Sequence, residues 1–194
     1  MPKTIWLFLV RTVSLAYVLT RFYWLKSTVY RLLTQFKYRN TPVSRYLTIE
    51  HLASTVRPNL YAHDDWHEGW DAAAYPGWIE AVWTKRLPPP THGFDCDKFA
   101  LYEATVASQL PDVEEAHLLS VIWTDGWMPN GHAVCLLKMP GGGWTYMDYG
   151  RPSKERWFCL QTLAANVVKE YTGGKGVMAC WLKLQPDLKP VAWG

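Results

Sequence analysis

The chain has 194 residues with 20 Lys and Arg against 17 Asp and Glu, a near balance that hides a division: residues 1–49 hold eight basic residues and no acid, and the rest holds 12 basic and 17 acidic residues. A 49% apolar content with twelve Trp excludes a disordered chain, and the length suits one domain of ordinary size. Cys96, Cys135, Cys159 and Cys180 form no CxxC pair, which excludes a zinc ribbon and a disulfide-stapled secreted scaffold and points to a reducing compartment, with a Cys159–Cys180 bridge left open.

In chain order, the basic leader comes first. Its apolar runs, Ile5 to Val10 and Val13 to Leu19, are separated by Arg11 and closed by Arg21, so neither approaches the ~20 residues of a membrane-spanning helix. Arg11 and the lack of a small-x-small cleavage site also argue against a signal peptide, and the expected location is cytoplasmic or peripheral at a membrane. At about 100° per residue, Lys3, Thr4, Arg11, Ser14 and Arg21 fall in one arc, leaving Trp6, Leu7, Leu9, Val10, Val13 and Leu15 to a broad apolar surface. Two readings stay open for helices over 4–21 and 24–38: they pack on the body or a partner with the cations in solvent, or residues 1–39 adsorb to an anionic membrane surface. No motif supports specific nucleic-acid binding.

Thr41-Pro42 breaks the leader from a domain over 44–194. The pattern predicts a helix over 44–56, an irregular stretch with Pro58, helical turns over 76–87 ending at Pro88-Pro89-Pro90, and a helix over 95–110 with Asp95 as N-cap and Pro111 after its end. Strands follow at 117–124, 132–139 and 143–149, then an amphipathic helix over 159–171 and a strand over 176–184. A helix followed by an antiparallel meander is α+β, and the lack of GxGxxG or a P-loop removes most support for nucleotide chemistry.

Three residues carry the chemical argument. Cys96 opens a helix, where the unpaired N–H groups and the dipole favour thiolate. His132 follows Asn130-Gly131, read as a turn, at the start of a strand, and Asp148 ends the next strand. A hairpin turning through Pro140-Gly141-Gly142 makes facing residue numbers sum to about 282, which places His132 diagonal to Asp148 on the same face. Asp148 can then hold one imidazole nitrogen while the other takes the proton of Cys96. His63 and His67, among Asp64, Asp65 and Glu68, have the spacing to share a metal on a helix, but a solvated acidic helix start is the better reading.

The segments Gly93-Phe94-Asp95-Cys96-Asp97-Lys98-Phe99-Ala100, Gly131-His132-Ala133-Val134-Cys135-Leu136-Leu137 and Trp144-Thr145-Tyr146-Met147-Asp148 resemble the three core motifs of the transglutaminase-like cysteine protease superfamily. They are most similar to the bacterial transglutaminase-like cysteine peptidases, although Phe94 separates Gly93 from Asp95 and Lys98 stands where those have a second acid. The resemblance implies a papain-like core with Cys96 as nucleophile, His132 as general base and acid, and Asp148 as orienter. It implies hydrolysis of a peptide or amide bond in a peptide or protein substrate, with acyl transfer to an amine as the alternative and a non-catalytic binding protein as the rival of a different class. No cofactor is required on this reading. Asp95 and Asp97 oppose thiolate formation unless they point away as helix-start residues, are neutralised by Lys98, or join a Ca2+ site as in similar adhesin-cleaving peptidases. One oxyanion donor is the Cys96 N–H, and Trp78, Trp83 and His92 are candidates for the second.

Overall fold

The computed structural model describes residues 3–19, 43–61, 76–85, 94–125 and 128–194. Its helices are α1 (Lys3–Leu19), α2 (Ile49–Thr55), α3 (Pro76–Trp83), α4 (Cys96–Ala107) and α5 (Leu160–Thr172). The strands are β1 (Glu115–Asp125), β2 (Met128–Lys138), β3 (Trp144–Asp148), β4 (Arg151–Pro152), β5 (Val177–Leu184) and β6 (Pro190–Trp193). Together they make an α+β fold around one antiparallel sheet of six strands in the order β4-β3-β2-β1-β5-β6.

β1 is central, and its interior is buried without a break, His117, Ser120 and Thr124 included, because both faces of the sheet are covered. Alternation sends Leu118 and Ile122 to one face, against Val10 of α1 and Ala100 and Leu101 of α4. Leu119, Val121 and Trp123 go to the other, against Leu163, Val167 and Val168 of α5. A second core on the first face gathers Phe99, Tyr102 and Val106 of α4 with Leu52, Ile79 and Trp83 of α2 and α3.

Local chemistry explains most boundaries. Asp95 caps α4 by accepting from the Lys98 N–H at 3.3 Å, and Thr48 caps α2 by accepting from the His51 N–H at 3.2 Å. The helix expected over 44–56 is therefore shorter. Its first part is extended and held by a tertiary bond instead: the Ser44 N–H lies 2.9 Å from each oxygen of the buried Glu80, which also accepts from Tyr102 Oη at 3.0 Å. The helix expected over 76–87 ends at Trp83, and Lys85 beyond it has φ 59°.

Two expectations need correction. Asn130-Gly131 is not a turn: β2 begins at Met128 and pairs with β1 along its whole length, Asn130 opposite Trp123 and Gly131 opposite Ile122. His132 thus lies inside a strand. Nor do Cys159 and Cys180 form a bridge: Cys159 is exposed at the start of α5, Cys180 is buried on the opposite face of the sheet, and both are free. The leader helix expected over 24–38 and the His63–Glu68 cluster lie outside the described residues. No helix among the described residues is long and apolar enough to cross a membrane.

Candidate active site

Between β2 and β3 the register is the one the hairpin arithmetic requires, Cys135 opposite Met147 and Lys138 opposite Trp144. Continued to the end of β3, it brings His132 and Asp148 diagonally together. The imidazole Nε2 lies 2.9 Å from Asp148 Oδ1, with only 4% of the His132 side chain and 21% of the Asp148 side chain exposed. The remaining carboxylate oxygen, Oδ2, accepts a hydrogen bond from Tyr171 Oη at 2.8 Å. The Tyr171 ring, from the last turn of α5, also lies over the imidazole with centroids 3.9 Å apart. Burial, then the charge of Asp148, raises the Tyr171 pKa, so the phenol stays protonated and donates.

Asp148 is followed by a two-residue turn. Tyr149 and Gly150 have φ of 49° and 76° and return the chain so that Arg151 faces Asp148. Positive φ is costly for a bulky side chain, about 1–3 kcal/mol, and the surroundings hold it there. The Gly150 N–H donates to Glu103 Oε1 at 2.7 Å, and the Tyr149 ring packs edge-on against Phe99 and Tyr61 at 4.9 and 5.0 Å. A side chain at Gly150 has no room, since a Cβ there lies 2.7 Å from Val56 Cβ and 2.9 Å from the Ala53 carbonyl oxygen. Burial raises the Glu103 pKa well above the ordinary carboxylate value, which favours the uncharged acid, and its Oε2 is buried without a hydrogen-bond partner. Glu103 stands two helical turns after Cys96, so α4 carries the thiol at its start and grips the turn after Asp148 further along.

Cys96 is the first residue of α4 and is half-buried against the cluster that includes Ala133 and Ile122. Cys96 lies close enough to act electrostatically on both Tyr149 and Tyr171, whose pKa values are raised first by burial, with Cys96 next for Tyr149 and behind Asp148 for Tyr171. Both tyrosines also touch the His132 ring, at 5.5 and 3.9 Å between centroids. Thiol and imidazole therefore share two neighbours. They approach from different sides, however. His132 is opposite Val121 and alternates with Val134 and Leu136, all packed toward α5, while Ala133 and Cys135 face α4. The two sides meet beyond the end of β3, where the Tyr149 ring touches both Phe99 of α4 and His132.

The flanking acids are engaged. Asp95 receives the Lys98 N–H and its Nζ, each at 3.3 Å, so capping and neutralisation act on the same carboxylate. Asp97 is buried in the first turn. Among the described residues no group of three or more His, Cys, Asp or Glu is placed to hold a metal ion. Of the oxyanion candidates, Trp83 is buried among Phe94, Phe99 and Tyr102, a core position in which its indole N–H has no hydrogen-bond partner. His92 and the side chain of Trp78 lie outside what the structure describes.

Sequence reasoning passed over Tyr171, Tyr149 and Glu103. For Tyr149 a signal existed, since an aromatic residue before Gly at a strand end is unusual turn chemistry. Nothing local marks Tyr171 or Glu103, whose partners lie 23 and 47 residues away. No family model matches the chain, and no curated protein matches it.

Proposed function

We propose that the protein is a thiol hydrolase of the transglutaminase-like, papain-like kind, cleaving a peptide or amide bond through an acyl-enzyme on Cys96. The observation that carries this reading is the buried His132–Asp148 pair at 2.9 Å, covered by Tyr171, at the same end of the sheet as a helix that opens on Cys. With Nε2 engaged by Asp148, Nδ1 is the imidazole nitrogen left to serve the thiol. In the reaction, His132 accepts the thiol proton as sulfur attacks the carbonyl carbon. It then gives that proton to the amine as the carbon–nitrogen bond breaks. Water, deprotonated by the same imidazole, attacks the thioester and releases the acid with the thiol restored. Asp148 holds the ring orientation and stabilises imidazolium, and the Cys96 N–H faces the developing oxyanion from the helix start.

A peptide-based thiol-reactive probe tests the reading by mass spectrometry on the intact chain. One adduct on Cys96, lost in His132→Ala, is expected. Release of the acyl group to water rather than to an added labelled amine separates hydrolysis from transamidation. Amine incorporation that depends on Cys96 would replace hydrolysis with acyl transfer, and equal labelling of wild type and His132→Ala would contradict both.

A further inference from the structure

Helix α1 is apolar nearly all the way round, a pattern that calls for apolar surroundings on more than one side. The sheet supplies one side. Val10 and Ser14 are buried against it, and Trp6 and Leu15 pack with the cluster of Leu118, Cys180 and Leu182. On the opposite side Ile5, Phe8, Leu9 and Val13 remain 50%, 67%, 43% and 65% exposed. Thr12, the polar residue between them, donates its hydroxyl to the Phe8 carbonyl at 2.9 Å and so spends its donor on the helix itself. The outward face is apolar in effect as well as in composition. Arg11 is exposed on its flank.

Charge selects the occupant. Residues 1–49 carry eight Lys and Arg and no acid. Pairing this face with a second copy would set one such leader against another, at an electrostatic cost. An anionic surface is attracted to the leader and repels the net −5 of the remaining residues, which fixes the orientation. No helix among the described residues is long and apolar enough to cross a bilayer, and a helix with one apolar face outward is suited to lie along one. We propose that α1 is a two-sided helix: Val10, Ser14 and Trp6 bind it to the sheet, and Ile5, Phe8, Leu9 and Val13 enter the headgroup–acyl boundary of an anionic membrane, to which the net positive charge of residues 1–49 attracts the chain. The packed and adsorbed readings of the leader are then two faces of the same helix. The inference is independent of the chemistry at Cys96.

The test is co-sedimentation of the full chain with vesicles of phosphatidylcholine alone and with about one-third phosphatidylglycerol. Binding to the anionic vesicles that weakens with added salt is expected. A Phe8→Ser/Val13→Ser chain should bind roughly 100-fold more weakly, because two large apolar groups no longer enter the lipid. Val177→Ser, at an exposed position on β5, should bind as wild type does. Thermal melts that match wild type show that the double variant keeps α1 on the sheet. Undiminished binding by the double variant would overturn the proposal, as would failure of wild type to bind anionic vesicles. A wild-type dimer that Phe8→Ser/Val13→Ser dissociates would assign the face to a second copy instead.

Discussion

Two histidines of the same sheet sit beside carboxylates at nearly the same distance, His132 at 2.9 Å from Asp148 and His117 at 3.0 Å from Glu115. Distance does not tell them apart; the other claims on the carboxylate do. Glu115 also receives Lys138 Nζ at 2.7 Å and Lys183 Nζ at 3.5 Å, and the Lys138 bond first, then the His117 bond, with Lys183 adding less, hold its pKa down to about 2. Its charge is already answered by lysines. Burial pushes the His117 pKa below its ordinary value, and Lys183 lies over the Trp144 ring at 4.2 Å. That end of the sheet is a closed electrostatic knot. At the other end, no lysine or arginine ion pair to Asp148 is found among the described residues, its second oxygen takes a neutral phenol, and Cys96 lies close enough to act electrostatically on that phenol. A carboxylate that meets an imidazole and a neutral phenol, with no lysine or arginine ion pair among the described residues, can support a proton moving on and off that ring.

The largest break in this comparison is expected from the histidines themselves. His132→Ala should lower hydrolysis by roughly 100- to 10,000-fold, the range for losing a general acid–base group, and His117→Ala should leave the rate within a few-fold of wild type. Rates of release from a peptide library check both.

Gly150→Ala is expected next. It forces a side chain against Val56 and the Ala53 carbonyl at a positive φ, and should cost about 2–3 kcal/mol by urea denaturation.

A smaller effect separates the phenol from the ring. Tyr171→Phe keeps the ring over His132 but removes a hydrogen bond to a charged group, about 1.5 kcal/mol or roughly tenfold in rate. Tyr171→Ala should lose more and shift the pH–rate profile, because the imidazole then meets water.

The smallest effects are on stability against pH, and their signs differ. Glu103 has a raised pKa, so its contribution is fully present below the ordinary carboxylate value and is lost as pH rises through the folded value. Glu103→Gln, which can still accept from the Gly150 N–H, should raise Tm at pH 8 more than at pH 4. Glu115 has a lowered pKa, and its contribution is present above pH 4.5 and lost as pH falls toward about 2. Glu115→Gln should flatten acid unfolding in that window, modestly because the group is solvent-screened.

What could be read in advance was local or arithmetical. Asp95 before Cys96 is cap chemistry, and the tight turn between β2 and β3 sets which residues oppose. Asn130-Gly131 misled because its residue types favour a turn, whereas β1 is long enough to keep pairing until Asp125 meets Met128. The alternation showed that His132 and Asp148 share a face. It could not show that α5 covers that face and α4 the other, since the side on which a helix returns is a property of the whole chain. Tyr171 and Glu103 were invisible for the same reason: each acts on a residue brought near only by the finished sheet.

Whether Cys96 is an activated thiol is read from the alkylation rate of individual thiols against pH, by peptide mass spectrometry. Burial pushes Cys135 up and Cys180 to about 11, which makes them slow references. Cys159 is exposed, and the N–H groups of the first turn of α5, Thr162 first, lower its pKa, so the measurement uses a Cys159→Ser chain. Cys96 is expected to react fastest, with a titration below about pH 8 that His132→Ala abolishes. A Cys96 no faster than Cys135, or one whose pH profile is the same with and without His132, would contradict it.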